Sequence, residues 1–308
     1  MSTTKSNPSA LAGLDGARVW LNSEPLTAAG LRGQVTLVDF WTYSCVNWLR
    51  TLPYVRAWHE RYRERGLVVV GVHAPEFGFE HDLENVRRAN AELGVGYPVV
   101  IDNDFAIWRS FDNHYWPAVY LVDGDGQVRF HHFGEEAYAE TERAIQELLG
   151  VDEELVRVDA GGLSEAADWS AVGSPETYTG YAQGERRRER AAEELALNEW
   201  ALAGDWAVGT ESAELEAAGG SIAYRFQARD LNLVLAPPAS GAPVRFTVRL
   251  DGRPPGDAHG VDVDDSGAGA LDEPRMYQLV RQPGAVGERT FEIAFDGPGV
   301  RAYVFTFG

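Results

Sequence analysis

Two nearly unbroken apolar runs, Val35-Thr-Leu-Val-Asp-Phe-Trp41 and Leu67-Val-Val-Val-Gly-Val72, bracket a stretch of helical character. A run that is apolar at almost every position suits a strand buried on both faces, and such strands belong to sheets whose crossovers are helices. Between them Leu49, Leu52, Val55, Trp58 and Tyr62 recur at helical spacing, while Arg50, Arg56, Glu60 and Arg63 are free to face water. The spacing predicts a helix from about Val46 to Arg65, kinked by Pro53 and stopped by Gly66, and a second amphipathic helix over Leu83 to Leu93 that ends at Gly94. This β-α-β-α order is preceded by a short hairpin expected over Arg18 to Leu26. It is followed by a hairpin in which Val119–Val122 and Val128–His132 flank Asp123-Gly-Asp-Gly126, and by a last helix from about Glu136 to Leu149. The parallel unit thereby gains an antiparallel edge.

Between Asp159 and Arg190 the chain turns to Gly, Ser and Pro and then to the charged run Glu185-Arg-Arg-Arg-Glu-Arg190, the composition of an inter-domain connection. Beyond it come short alternating segments, Ile222–Ala228, Val244–Leu250, Thr290–Phe295 and Arg301–Phe307, separated by Gly- and Pro-rich turns. Strands at that spacing indicate an all-β sandwich or jelly roll. The expected organisation is an α/β domain over residues 11–150, a linker over 151–190 and a β-sandwich domain over 191–308.

With 47 acidic against 27 basic residues the formal charge is -20, which disfavours a nucleic-acid partner and anionic membrane surfaces. No apolar run reaches the roughly twenty residues of a membrane span, and Met1–Ala10 lacks the apolar middle of a signal peptide. The sequence as written therefore reads as cytoplasmic, or as exported if a leader has been removed. A single cysteine, Cys45, leaves only a free thiol or an intermolecular bond.

The segments Val38-Asp-Phe-Trp-Thr-Tyr-Ser-Cys45, Gly71-Val-His-Ala-Pro-Glu-Phe77, Asn113-His-Tyr-Trp-Pro-Ala118 and His131-His-Phe-Gly-Glu135 together resemble the thioredoxin-like domains of the TlpA and DipZ group, nearer the DipZ type. Ser174-Pro-Glu-Thr-Tyr-Thr-Gly-Tyr181, with Asp262-Val-Asp264 and Met276-Tyr-Gln-Leu-Val-Arg281, is similar to the carbohydrate-binding-module-like sandwich that follows such domains. The resemblance implies a thioredoxin fold, thiol-disulfide exchange with a protein or small-molecule thiol or disulfide, and no required cofactor. It implies that Asp39 is the buried acid of the site and that Pro117, after Trp116, is the cis-proline that docks an extended substrate. The active-site motif is Trp41, Tyr43, Ser44, Cys45, Val46, Asn47 and Trp48, and it departs from the family where Trp48 stands in place of the second cysteine.

A cysteine between a buried strand and the first turn of a helix meets unpaired N–H groups and the helix dipole, which favour its thiolate. Asp39, inside a buried strand, must pair, shift its pKa upward or reach water, so it is either a retained proton-relay group or a residue satisfied by its neighbours. Tyr43, Tyr115 and Trp116 form an aromatic rim for a substrate or simply pack. Trp48 covers the sulfur or displaces its neighbours. It reads as a natural residue, since engineered traps use small isosteres. His73, His114, His131 and His132 have no metal spacing that involves Cys45.

One thiol can form a mixed disulfide and await an external thiol, or be oxidised to a sulfenic acid. The leading expectation is monothiol exchange. The rivals are a redox-inactive protein that binds a protein or glycan and a one-cysteine peroxidase, the latter suggested by Thr42 three residues before Cys45 but lacking proline at position 38, which is Val38. In the second domain Asp262, Asp264, Ser266 and Glu273 have the oxygen-ligand spacing of a calcium loop. Trp200, Trp206, Tyr224 and Tyr277 either stack on a glycan or fill the core.

Overall fold

The computed structural model describes residues 9–189 and 191–308; Met1–Pro8, within the stretch searched for a signal peptide, and Arg190 lie outside it. Two compact units divide at residues 164 and 165.

The first unit contains β1 (Trp20–Leu21), β2 (Val35–Trp41), α1 (Val46–Tyr62), β3 (Leu67–His73), α2 (Leu83–Glu92), β4 (Val99–Ile101), α3 (Ala106–Ser110), β5 (Ala118–Val122), β6 (Val128–Phe133) and α4 (Tyr138–Leu149). Its six strands form one sheet in the order β1-β4-β3-β2-β5-β6. β2, β3 and β4 are parallel, as their helical crossovers require, and β5 and β6 extend the sheet antiparallel through the Asp-Gly turn. Because β2 lies between β3 and β5, all seven of its residues are buried, including Thr36 and Asp39. The hairpin expected over Arg18–Leu26 does not form: Trp20–Leu21 pairs with β4 instead, and Asn22 turns the chain at φ 64° while its amide donates to the carbonyls of Val95 and Tyr97. α1 runs on through Pro53 and tightens to a 3-10 turn at Arg63–Arg65 before Gly66, whose φ of 99° favours glycine.

Arg50 corrects the expected solvent face of α1. It is 2% exposed and paired with Glu135 at 2.9 Å. It lies beside Leu49 on the buried side, and the carboxylate that follows β6 is what permits a guanidinium there.

The paired strands of the second unit are all antiparallel. It comprises β7 (Thr177–Tyr178), β8 (Trp200–Ala203), β9 (Trp206–Val208), β10 (Ala213–Leu215), β11 (Ser221–Gln227), β12 (Asp230–Ala236), β13 (Val244–Leu250), β14 (Ala268–Leu271), β15 (Arg275–Arg281), β16 (Glu288–Phe295) and β17 (Arg301–Phe307). One sheet runs β15-β12-β17-β10-β9 with β7 added on β17, the other β14-β13-β16-β11-β8. Leu231, Leu233, Tyr277 and Phe305 from the first meet Phe226, Phe246, Val248 and Ile293 from the second in one apolar core, the layering of a sandwich. The expected linker 151–190 is not all linker. Thr177–Tyr178 is a strand of the sandwich, and Ser174 bonds to Asn198 and to the Gln227 amide, so much of that stretch belongs to the second unit. Among the described residues no helix is long and apolar enough to cross a membrane.

Candidate functional site

Alternation along β2 sends Asp39 and Trp41 to the face that α1 covers and Phe40 to the opposite face, where it meets Trp108, Phe111 and Tyr120 edge-on. After Trp41 the chain leaves the sheet, turns through a Cys45 N–H···O=C Thr42 bond, and enters α1 with Cys45 as its N-cap. Cys45 is only partly buried. Its Sγ lies 3.8 Å from the carbonyl oxygen of Trp116, the residue joined to Pro117 by a cis peptide bond. The structure thus brings together the cysteine and the proline that the sequence set about seventy residues apart.

Trp48, one turn into α1, is completely buried. Its indole stacks on that of Trp41, with centroids 4.2 Å apart and planes at 22°, and its Nε1 donates to Asp39 Oδ2 at 3.1 Å. Tyr97 donates its hydroxyl to the same oxygen at 3.2 Å. Burial pushes Asp39 up to about 7, against the downward pull of these two bonds. The indole therefore occupies the interior beneath the loop without sealing the sulfur from solvent. Gly71 makes room for the stack: a Cβ there would stand 2.9 Å from Trp41 Nε1 and 3.0 Å from Tyr97 Cε2. Beside it His73 is fully buried, with Trp41 edge-on and Tyr43 stacked, and burial lowers its imidazole to about 3.

The remaining motif residues divide between packing and position. Tyr43 and Val46 are buried, Asn47 is partly exposed, and Ser44, 2% exposed, donates to Glu80 at 2.5 Å. The expected aromatic rim is accordingly smaller: Tyr43 is inside, Trp116 is half-buried with its Nε1 on the Ala74 carbonyl, and Tyr115 is exposed beside Phe133. His114 and His131 are exposed, and His132 bonds to the Glu135 carbonyl. Glu80 and the Arg50–Glu135 pair are not evident from the sequence. Glu80 carries one signal, an acidic residue between Phe79 and His81 directly after an apolar strand and Pro75.

Asp262 and Asp264 of the expected calcium loop already have protein partners. Asp262 is held by Arg275 at 2.8 Å and by the Gln278 amide, while Asp264 folds back on Ser266 and the Ala268 amide. Among the described residues no three His, Cys, Asp or Glu side chains group to hold a metal ion, so Asp262, Asp264 and Glu273 do not converge. Trp200, Tyr224 and Tyr277 lie in the sandwich core and Trp206 packs against it, which withdraws the first three from any glycan.

Two family models match, the AhpC/TSA family over residues 18–131 and "Thioredoxin like C-terminal domain" over residues 174–308. The thiol-disulfide oxidoreductase YkuV of Bacillus subtilis is 30% identical over 140 residues, 46% of this chain and 94% of that protein. The chain belongs to the thioredoxin-like family. Protein DipZ of Mycobacterium tuberculosis is 34% identical over 311 residues, which is 96% of this chain but 42% of DipZ, so the chain spans less than half of that relative's length. A solved thioredoxin-like protein in its oxidised form shares 31% identity over 44% of this chain and 90% of its own, with a TM-score of 0.40. Across the DipZ match the likeness runs through both units of this thioredoxin-like chain.

Proposed function

We propose that this protein is a monothiol thiol-disulfide oxidoreductase. Cys45 thiolate attacks one sulfur of a substrate disulfide; a Cys45–substrate bond forms, the substrate's S–S bond breaks, and the other sulfur leaves as thiolate. A second, external thiolate then attacks the mixed disulfide, restoring Cys45 and carrying the substrate sulfur away. The observation that carries this reading is the pairing of a partly exposed sulfur at a helix N-terminus with a buried indole where an internal resolving thiol would have to stand. Relatives named as thiol-disulfide oxidoreductases support it. A redox-inactive site would require the indole to cover the sulfur, whereas Trp48 is turned toward Asp39 and Trp41.

The AhpC/TSA match favours a second reading, a one-cysteine peroxidase in which Cys45 thiolate takes one oxygen from a hydroperoxide and releases the alcohol. Intact-mass analysis of the native protein after exposure to a peptide disulfide separates the two. Exchange gives an adduct of one peptide per chain, reversed by glutathione and absent from Cys45→Ser. Peroxidase chemistry gives instead rapid capture by a sulfenate probe at low peroxide. Absence of any peptide adduct on the native fold would overturn the exchange reading. For the second unit, a jelly-roll connectivity and a glycan partner are further proposals, and the burial of Trp200, Tyr224 and Tyr277 does not support the second of them.

A further inference from the structure

Glu80 is a carboxylate with no exposed surface, in the short 3-10 helix Gly78–His81 that follows β3. Both of its oxygens are engaged by neutral donors. Oε1 accepts from Ser44 Oγ at 2.5 Å, and Oε2 accepts from the amides of Glu76 at 2.6 Å and Phe77 at 3.0 Å. Burial raises its pKa and these bonds oppose the rise. A desolvated carboxylate is costly to keep, and this one is spent on joining two loops. One of them carries Ser44 and hence Cys45. The other, directly after β3, also anchors the opposite wall of the site, because the Ala74 carbonyl accepts from the Trp116 indole and Trp116 offers its own carbonyl to the sulfur. Both sides of Cys45 are therefore tied to the segment from Ala74 to Glu80.

We propose that Glu80 is a positioning residue for Cys45, acting through the Ser44 hydroxyl to hold the sulfur at the start of α1. The inference rests on the reading of Cys45 as a reactive thiol and adds the group that keeps it in place. A sulfur displaced from the first turn of α1 loses the N–H groups and dipole that favour its thiolate, so reactivity reports position. The Ser44 bond is short and buried, the kind whose loss is felt.

The test is the rate of Cys45 alkylation by iodoacetamide across pH 5 to 10 in the native protein, Ser44→Ala, Glu80→Ala, the double variant and Glu80→Gln, with circular dichroism to verify folding. Ser44→Ala and Glu80→Ala are expected to move the midpoint of the pH profile up by about one unit and to slow alkylation about tenfold at pH values well below the native midpoint, since there one unit of thiol pKa is a tenfold change in thiolate. The double variant is no slower than Glu80→Ala, because both changes cut the same connection. Glutamine can accept from both amides with its oxygen and donate to Ser44 Oγ with its nitrogen, so Glu80→Gln stays within about twofold of native. A folded Ser44→Ala protein with the native rate and profile would overturn the proposal, as would additive losses in the double variant. If Glu80→Ala does not fold, Ser44→Ala and Glu80→Gln still decide it, and a Gln variant as slow as Ser44→Ala would refute positioning by hydrogen bonds. A native profile with the proposed shifts absent, in a protein that still exchanges disulfides, removes this inference alone; a native protein that forms no peptide adduct removes the reading beneath it.

Discussion

Replacing Asp39 by Asn should change how the first unit's stability depends on pH, and His73 sets the background against which the change is read. Asp39 is raised from 3.8 to about 7 by burial, so between those values the native state holds a proton that the unfolded state has released. Its contribution is therefore fully present below pH 4 and is lost as pH rises toward 7, by about 1.4 kcal/mol per pH unit and about 4 kcal/mol in all. His73 is lowered from 6.5 to about 3 by burial, so below pH 6.5 the unfolded state takes up a proton that the native state refuses. That contribution runs the other way, falling as pH falls, by about 5 kcal/mol in all. From pH 4 to 6.5 the two slopes nearly cancel. An asparagine side chain in place of Asp39 can keep its oxygen toward Trp48 and Tyr97 while removing the titration, since both bonds fall on one carboxylate oxygen. The stability of Asp39→Asn relative to native should then rise by about 1.4 kcal/mol per unit between pH 4 and 7. His73→Phe should show the opposite trend, with its relative stability falling as pH rises from 4 to 6.5. Urea unfolding followed at the Trp48 indole N–H resonance reads this unit separately from the sandwich, and in the native protein that resonance should itself titrate near pH 7. A relative stability of Asp39→Asn that changes by less than about 1 kcal/mol from pH 4.5 to 7 would mean that Asp39 is already ionised there, and the argument from burial would fail.

Two substitutions probe the indole stack. Trp48→Cys should allow an internal disulfide between Cys45 and the introduced thiol and release a bound peptide without added thiol, at a stability cost of about 3–5 kcal/mol for the lost indole; intact mass without reductant checks it, and an adduct as durable as in the native protein refutes it. Gly71→Ala should cost about 1–3 kcal/mol in urea unfolding, because its Cβ meets Trp41 and Tyr97 inside ordinary contact distance, and an unchanged midpoint would show that the stack can yield.

The elements that set the fold are legible where one physical signal dominates. β2 and β3 are readable because both of their faces are covered, and α1 because its apolar stripe faces the sheet. β4 has only three residues, too few for any period to show. Asp230–Ala236 is hidden for a different reason. All seven of its residues are buried, but Asp230 and Asn232 interrupt the apolar run that such burial would otherwise produce, and Asp230 is inside because Arg229 and Arg281 both reach it. Arg50 falls on the wrong face of α1 on the same ground: sequence alone does not reveal the carboxylate eighty-five residues away that holds it. At the site, the sequence marks Cys45, Asp39, Trp48 and Pro117 but carries no sign that Trp48 and Asp39 are bonded partners. Glu80 escapes because its function depends on two loops meeting.

Under the proposed monothiol exchange, the Trp48–Asp39 bond bears directly on the need for an external thiol. A buried acid whose carboxyl sits near neutrality is suited to exchanging protons with a thiol. Here both donors on its Oδ2 hold their protons at working pH: an indole N–H, and a Tyr97 hydroxyl raised well above its ordinary range by burial and by Asp39 itself. Neither can become a nucleophile by losing a proton to Asp39. The carboxyl has thus kept the buried position of a proton acceptor while its neighbours have become groups that only donate hydrogen bonds. On the proposed exchange, the thiol that completes the reaction at Cys45 must bring its own thiolate, formed in solution or on a partner, so the rate of release should follow the concentration and acidity of that thiol and be insensitive to Asp39→Asn.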